Sequence, residues 1–147
     1  IWENDIDTIG YKANMTNIPA CIGIEQLNYL NKILKKHNEN GKYLDKHLKK
    51  ISHVNVLKRN QLNFSTYWVY SFTSDKKRKI VRELNKNNII SIQVHPRNDE
   101  YSIFKKFKKN LPNLNRFQKN EINIPCGWWV SKRSLDKIIK IIRKTNE

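Results

Sequence analysis

The chain has 147 residues, a length that can bury one respectable core, and it opens on Ile1 rather than Met, which reads as a piece of something longer. It has no run of about 20 apolar residues and no charged-then-apolar opening segment, which argues against a membrane partner and a secretory leader and makes soluble and cytoplasmic the expectation. The formal charge of +16 invites a nucleic-acid reading, but 22 of the 29 basic residues are Lys, and 20 Asn and 19 Ile mark a compositional bias that raises charge without selecting a partner.

Residues 1 to 16 contain Trp2 and alternate loosely, as a loop or short strand leading into Tyr11 to Asn14. Thr16 or Asn17 can accept a hydrogen bond from the free N–H groups of a first helical turn, and Pro19 fits that turn because it lacks a donor. From there Leu27, Leu30, Leu34, His37, Gly41, Leu44, Leu48 and Ile51 alternate steps of three and four, one continuous stripe on a helix over 17–52. A helix of about 35 residues is roughly 50 Å long, a spine between two regions rather than a local crossover. Ala20 and Gly23 near its start would let another backbone approach, and His37, His47 and His53 read as surface or seam residues. Lys32, Lys35, Lys36, Lys46, Lys49 and Lys50 are spread over its solvated face.

Val54 to Leu57 is a short β-branched strand, and Tyr67 to Phe72, aromatic and β-branched, is the strongest strand signal in the chain. Ser74-Asp75 opens a helix with Ile80, Val81 and Leu84 inward and Asn87-Asn88 at its end, and Ile89 to Val94 returns to strand. Short helices are expected over Tyr101 to Phe107 and Asn113 to Lys119, broken by Leu111-Pro112, then a strand over Glu121 to Pro125. Ser131 caps a terminal helix that turns Leu135, Ile138, Ile139 and Ile142 inward. The pattern is α+β, or layered α/β: a spine over 17–52 and an α+β unit over 53–147 whose small mixed sheet is flanked by helices. Cys21 and Cys126 have no CxxC or Cys/His spacing, so neither a metal site nor a disulfide framework is expected, and both read as small buried hydrophobes.

Two places could carry chemistry. Tyr11, Lys12 and Asn14 sit before a helix N-terminus, where free N–H groups and polar side chains favour an anion. His95-Pro96-Arg97-Asn98-Asp99 with Tyr101 gathers a titratable ring, a bidentate cation, a carboxylate and a phenol past a strand end; it is either a ligand site or a turn in which Asp99 holds Arg97. Adjacent Trp128 and Trp129 point to opposite faces of a strand, where packing at a domain edge is the plainer reading and stacking on a sugar or base the other.

Gly10-Tyr11-Lys12-Ala13-Asn14-Met15-Thr16-Asn17-Ile18, followed by Ala20, Gly23 and Gln26-Leu27, resembles the segment after the cofactor lysine in the DegT/StrS family of sugar aminotransferases. His95 to Phe104, Leu111-Pro112-Asn113 and Pro125-x-Gly127-Trp128-Trp129 are similar to segments of one branch of that family. The resemblance implies the C-terminal portion of a pyridoxal-phosphate enzyme of the aspartate-aminotransferase fold, fold type I. Residues 1–16 would then come from the large cofactor domain, 17–52 would be the spine, and 53–147 the small C-terminal domain. The family's cofactor lysine and the aspartate on the pyridine nitrogen would lie upstream of Ile1, leaving no catalytic residue in this chain. Asn14 would reach the phosphate of the neighbouring subunit's pyridoxal 5'-phosphate in a homodimer, with Tyr11, Lys12, His95 and Arg97 on the substrate side. Ala13 departs from the aromatic often found at its position.

The whole enzyme would move an amino group, from a donor such as glutamate, to a keto group on a nucleotide-linked sugar in polysaccharide or glycoside biosynthesis. The alternatives are a sugar dehydratase of the same family, with histidine replacing the upstream lysine, and a basic nucleic-acid-binding module.

Overall fold

A computed structural model describes residues 5–60 and 62–145; the reading of Trp2 lies outside them. Helix α1 (Asn17–Leu27) is followed by α2 (Leu30–Leu48), then β1 (Asn55–Val56), β2 (Tyr70–Thr73) and α3 (Lys77–Lys86). Two 3₁₀ turns, Asn98–Glu100 and Ser102–Phe107, lead to α4 (Pro112–Asn120), β3 (Glu121–Ile124) and α5 (Lys132–Lys144).

The stretch expected as one helix over 17–52 runs in two segments. The N–H groups of Asn28 and Tyr29 bond three residues back, to Glu25 and Gln26, before Ile33 resumes the four-residue pattern on Tyr29. This tightened turn keeps both residues right-handed, so the axis is interrupted without a loop. Beyond Leu48 the chain leaves in further tight turns, Ile51 bonding to Leu48 and Val54 to Ile51. The inward stripe is buried from His37 to Ile51, whereas Leu27 and Leu30 are exposed and α1 buries no side chain. Cys21, on α1, is therefore exposed, contrary to its reading as a core residue, while Cys126 is buried. A Cβ built at Gly23 meets nothing within 4 Å, so no described segment approaches there.

The sheet has the order β1-β2-β3 and is antiparallel throughout rather than mixed. Tyr70 faces Ile124 and Phe72 faces Ile122. The strand begins at Tyr70 and not at Tyr67 because Tyr67 has φ of 42°, a left-handed bend that a β-ladder does not accept. Ile89 to Val94, expected as a strand, makes only a bridge, from Ile92 to Asn123. Two of the N–H groups a ladder would draw on are spent on α3, Ile89 on the Leu84 carbonyl and Ser91 on the Asn85 side chain.

Helices α2, α3 and α5 cover one face of this sheet. Leu44, Leu48, Ile80 and Leu84 meet Tyr70, Phe72, Ile122 and Ile124, and α5 adds Leu135, Ile138, Ile139 and Ile142, the four residues its periodicity turns inward. Each aliphatic side chain so buried contributes about 1.5–3 kcal/mol. Ser131 caps α5 as expected, its hydroxyl accepting from the Ser134 N–H at 3.1 Å. His37 and His53 are seam residues: His37 meets the Tyr67 carbonyl at 3.2 Å, and His53 meets the Thr145 hydroxyl at 3.0 Å.

Candidate functional site

Tyr11, Lys12 and Asn14 are exposed, Tyr11 by 99%, and their side chains make no hydrogen bond or ion pair among the described residues. The segment is nonetheless held. Asp5 accepts hydrogen bonds from the Ser102 N–H at 2.8 Å and from the Ser102 hydroxyl, and the Ile103 N–H donates to the Ile6 carbonyl at 3.0 Å. The Ser102 bonds favour the charged form and lower the carboxyl of Asp5 below its ordinary range. At its other end the segment enters α1 through Thr16, which occupies the cap position, but its hydroxyl makes no capping bond. First-turn N–H groups without a side-chain cap, beside the free amide of Asn14, form a donor set that suits one phosphate group. They fit the phosphate edge of pyridoxal phosphate and no more of it.

Arg97 is 6% exposed and its guanidinium is engaged within the turn. It donates to both carboxylate oxygens of Asp99, Nε to Oδ1 at 2.6 Å and Nη2 to Oδ2. It also donates to the Asn115 side-chain oxygen on α4 and, at 2.9 Å, to the Lys109 carbonyl. The hydrogen bonds to Asp99 raise the pKa of Arg97, and the same bonds hold the Asp99 carboxyl below its usual range. This is the ion-paired turn: it fixes residues 97–115 and leaves the guanidinium little capacity for a ligand. His95, two residues earlier, is exposed, with its ring tilted against Trp68 at 5.9 Å. Thus Asp5 ties the Tyr11 to Asn14 arm to the turn that follows Arg97, while His95 lies next to an exposed indole.

Trp128 and Trp129 are 55% and 62% exposed and meet edge to face at 6.0 Å. Gly127 makes this possible: a Cβ there would lie 2.3 Å from the Trp129 ring. Trp129 also sits edge-on to His37 at 5.8 Å. Sequence reasoning missed what holds this turn. Asn40 on α2, 2% exposed, donates to the carbonyls of Cys126, Gly127 and Val130 at 3.3, 2.9 and 3.2 Å. It also missed Asp45, which accepts from Tyr67 at 2.8 Å, Tyr70 at 2.7 Å and Arg59 at 3.4 Å, while the Arg59 guanidinium lies 4.6 Å from the Tyr67 ring centre. Burial first, then the Asp45 bond, pushes the Tyr67 phenol up to about 12 and the Tyr70 phenol higher still. Burial likewise raises the Cys126 thiol, to about 12. These partners lie 14 to 90 residues apart. A polar residue on the inward stripe of α2 was the available signal for Asn40.

This α+β fold, helices around a small three-stranded sheet, is shared with fold-type-I sugar aminotransferases. The DegT/DnrJ/EryC1/StrS aminotransferase family model matches residues 2–143, and the chain belongs to that family. A UDP-4-amino-4,6-dideoxy-N-acetyl-beta-L-altrosamine transaminase of Campylobacter jejuni is 27% identical over 135 residues, covering 86% of this chain and 35% of that protein. Among solved structures, the sugar aminotransferase CalS13 from Micromonospora echinospora superposes with a TM-score of 0.84 at 27% identity, over 92% of this chain and 37% of that one. Spr1654 from Streptococcus pneumoniae, in its PLP-form, gives 0.78 at 25%, over 98% and 39%. The chain spans little more than a third of the length of the curated relatives it matches.

Proposed function

We propose that this chain supplies the spine and small domain of a pyridoxal-phosphate aminotransferase acting on a nucleotide-linked sugar, with glutamate as amino donor, in cytoplasmic polysaccharide or glycoside biosynthesis. The family match across residues 2–143 carries the reading. When bound, pyridoxal phosphate supplies the electron sink for moving an amino group. The part of this chain is to bind and orient. The Asn14 amide and the first-turn N–H groups of α1 would hold the cofactor phosphate of a neighbouring subunit. Lys12 and Tyr11 would face the diphosphate of the substrate, and exposed His95 beside Trp68 would line its sugar side. Arg97 acts as a positioning residue, since its donors are directed at Asp99, Asn115 and Lys109.

Asn14→Ala tests the reading in the protein as encoded. A hydrogen bond to a charged acceptor contributes about 1.5–3 kcal/mol, so cofactor affinity falls roughly ten- to a hundredfold. Stability should hold, because the exposed Asn14 side chain makes no hydrogen bond or ion pair among the described residues. Lys12→Ala is the comparison. A cofactor titration in which Asn14→Ala matches wild type while Lys12→Ala loses affinity places the phosphate contact elsewhere.

A further inference from the structure

Tyr67 and Trp68 have exchanged faces. Side chains along β2 alternate, with Tyr70 and Phe72 fully buried, and the same alternation carried back would put Trp68 in the core and Tyr67 in solvent. The structure has them the other way round, with Tyr67 6% exposed and Trp68 63%. Tyr67 itself makes the exchange, through a φ of 42° that is uncommon for a bulky residue and carries strain. Because an indole is among the largest apolar groups a chain can bury, the bend gives up that burial as well.

The bend is held from several sides. The Tyr67 phenol donates to Asp45 at 2.8 Å, its ring lies 6.1 Å from that of Tyr70 at an interplanar angle of 8°, and the Arg59 guanidinium stacks on it. The His37 ring meets the Tyr67 carbonyl at 3.2 Å, and Asn38 donates to the nearby Ser65 carbonyl at 2.9 Å. Strain that its surroundings hold so fully points to a task for what it displays. It displays the Trp68 indole, against the ring of His95 at 5.9 Å. His95 is itself set in place, since buried Val94 precedes it and the Arg97 turn follows.

We propose that Trp68 is a specificity-determining residue that packs its indole face on the sugar ring of the substrate, an inference that rests on the reading of His95 as lining the sugar side. The chemistry fits a pyranose. The negative face of an indole attracts the partly positive C–H groups on the flatter side of a sugar ring. The Trp68 and His95 rings also meet at 37°, an open angle that admits a puckered ring rather than the parallel slot that clamps a flat base.

Calorimetric titration of the protein as encoded tests this, with uridine, thymidine and guanosine diphosphates and with the glucose ester of each. For the pair that wild type binds, Trp68→Ala should weaken the sugar nucleotide by roughly tenfold or more and change the parent diphosphate by less than about twofold. Trp68→Phe, which keeps a ring face, should recover most of the loss. The urea midpoint of Trp68→Ala should stay at the wild-type value. Equal losses for sugar nucleotide and parent diphosphate overturn the proposal in favour of a base contact. A lowered midpoint with sugar discrimination intact overturns it in favour of packing. Unchanged sugar-nucleotide affinity in Trp68→Ala overturns the stacking alone, whereas wild type that binds none of these ligands overturns the underlying reading and the proposal with it.

Discussion

Gly41→Ala sets two effects of opposite sign against each other. In the interior of α2, alanine gains about 1 kcal/mol over glycine in helix propensity. Here, however, a Cβ at position 41 would lie 2.4 Å from Cγ and Cδ1 of Tyr67 and 2.5 Å from Cδ2. The contact is at the root of the ring, so a small tilt cannot relieve it. Displacing the ring gives up the Tyr67 hydrogen bond to Asp45 at 2.8 Å and the Arg59 stack at 4.6 Å. A hydrogen bond to a charged group contributes about 1.5–3 kcal/mol and a partly exposed cation–π contact about 0.5–1. After the helical gain, the net loss is about 1–3 kcal/mol, read as a lower midpoint in urea denaturation. The Tyr67→Ala background removes the obstacle, and there Gly41→Ala should stabilise by about 1 kcal/mol. A neutral or stabilising Gly41→Ala in wild type, or a cost that persists without the ring, refutes the steric account.

Asn40→Ala strands three carbonyls of the 126–130 turn, and should cost about 1–3 kcal/mol and shift the fluorescence of Trp128 and Trp129; unchanged stability and emission would mean the turn holds itself. Alkali should destabilise the fold. The folded phenol of Tyr67 and thiol of Cys126 titrate near 12 against ordinary values of 10.0 and 9.0, and Tyr70 is raised further, so their contribution is full below about pH 9 and falls as pH rises through 9 to 12. Denaturation midpoints measured from about pH 8 to 11 check the sign, and Tyr70→Phe should flatten the slope. The 147-residue chain on its own, mixed with pyridoxal phosphate, glutamate and a keto sugar nucleotide, should give no transaminase turnover, because the lysine implied by the family is not among its residues; amino-sugar product in a coupled assay would contradict this.

What could be read from the sequence was whatever is encoded locally. The four inward residues of α5 follow from one amphipathic period, its cap from Ser131, and the Arg97–Asp99 pair from two residues that share a turn. Ile89 to Val94 was misread because β-branched propensity says nothing of where N–H groups go, and Ile89 and Ser91 turn back to α3. Leu27 and Leu30 open the stripe read as inward, yet periodicity cannot say what packs on a face, and among the described residues nothing buries them. Asp45 and Asn40 had no local signature, since their partners arrive from distant segments. At the arm, residue types made Asn14 and Lys12 candidates, but the role of Asp5 depends on a residue 97 positions away.

That pairing gives the arm the mechanics of a suspension bridge. It is anchored at Asp5 and Ile6 on the Ser102 turn and at Thr16 on α1, and between them the side chains of Tyr11, Lys12 and Asn14 make no hydrogen bond or ion pair among the described residues. A span fixed at both ends samples far fewer shapes than a tail of equal length, so a ligand met by Asn14 has less disorder to remove on arrival. Removing that carboxylate, which no ligand needs to touch, would loosen the span at one of its anchors. Affinity at its midpoint would then drop with every contacting atom still in place.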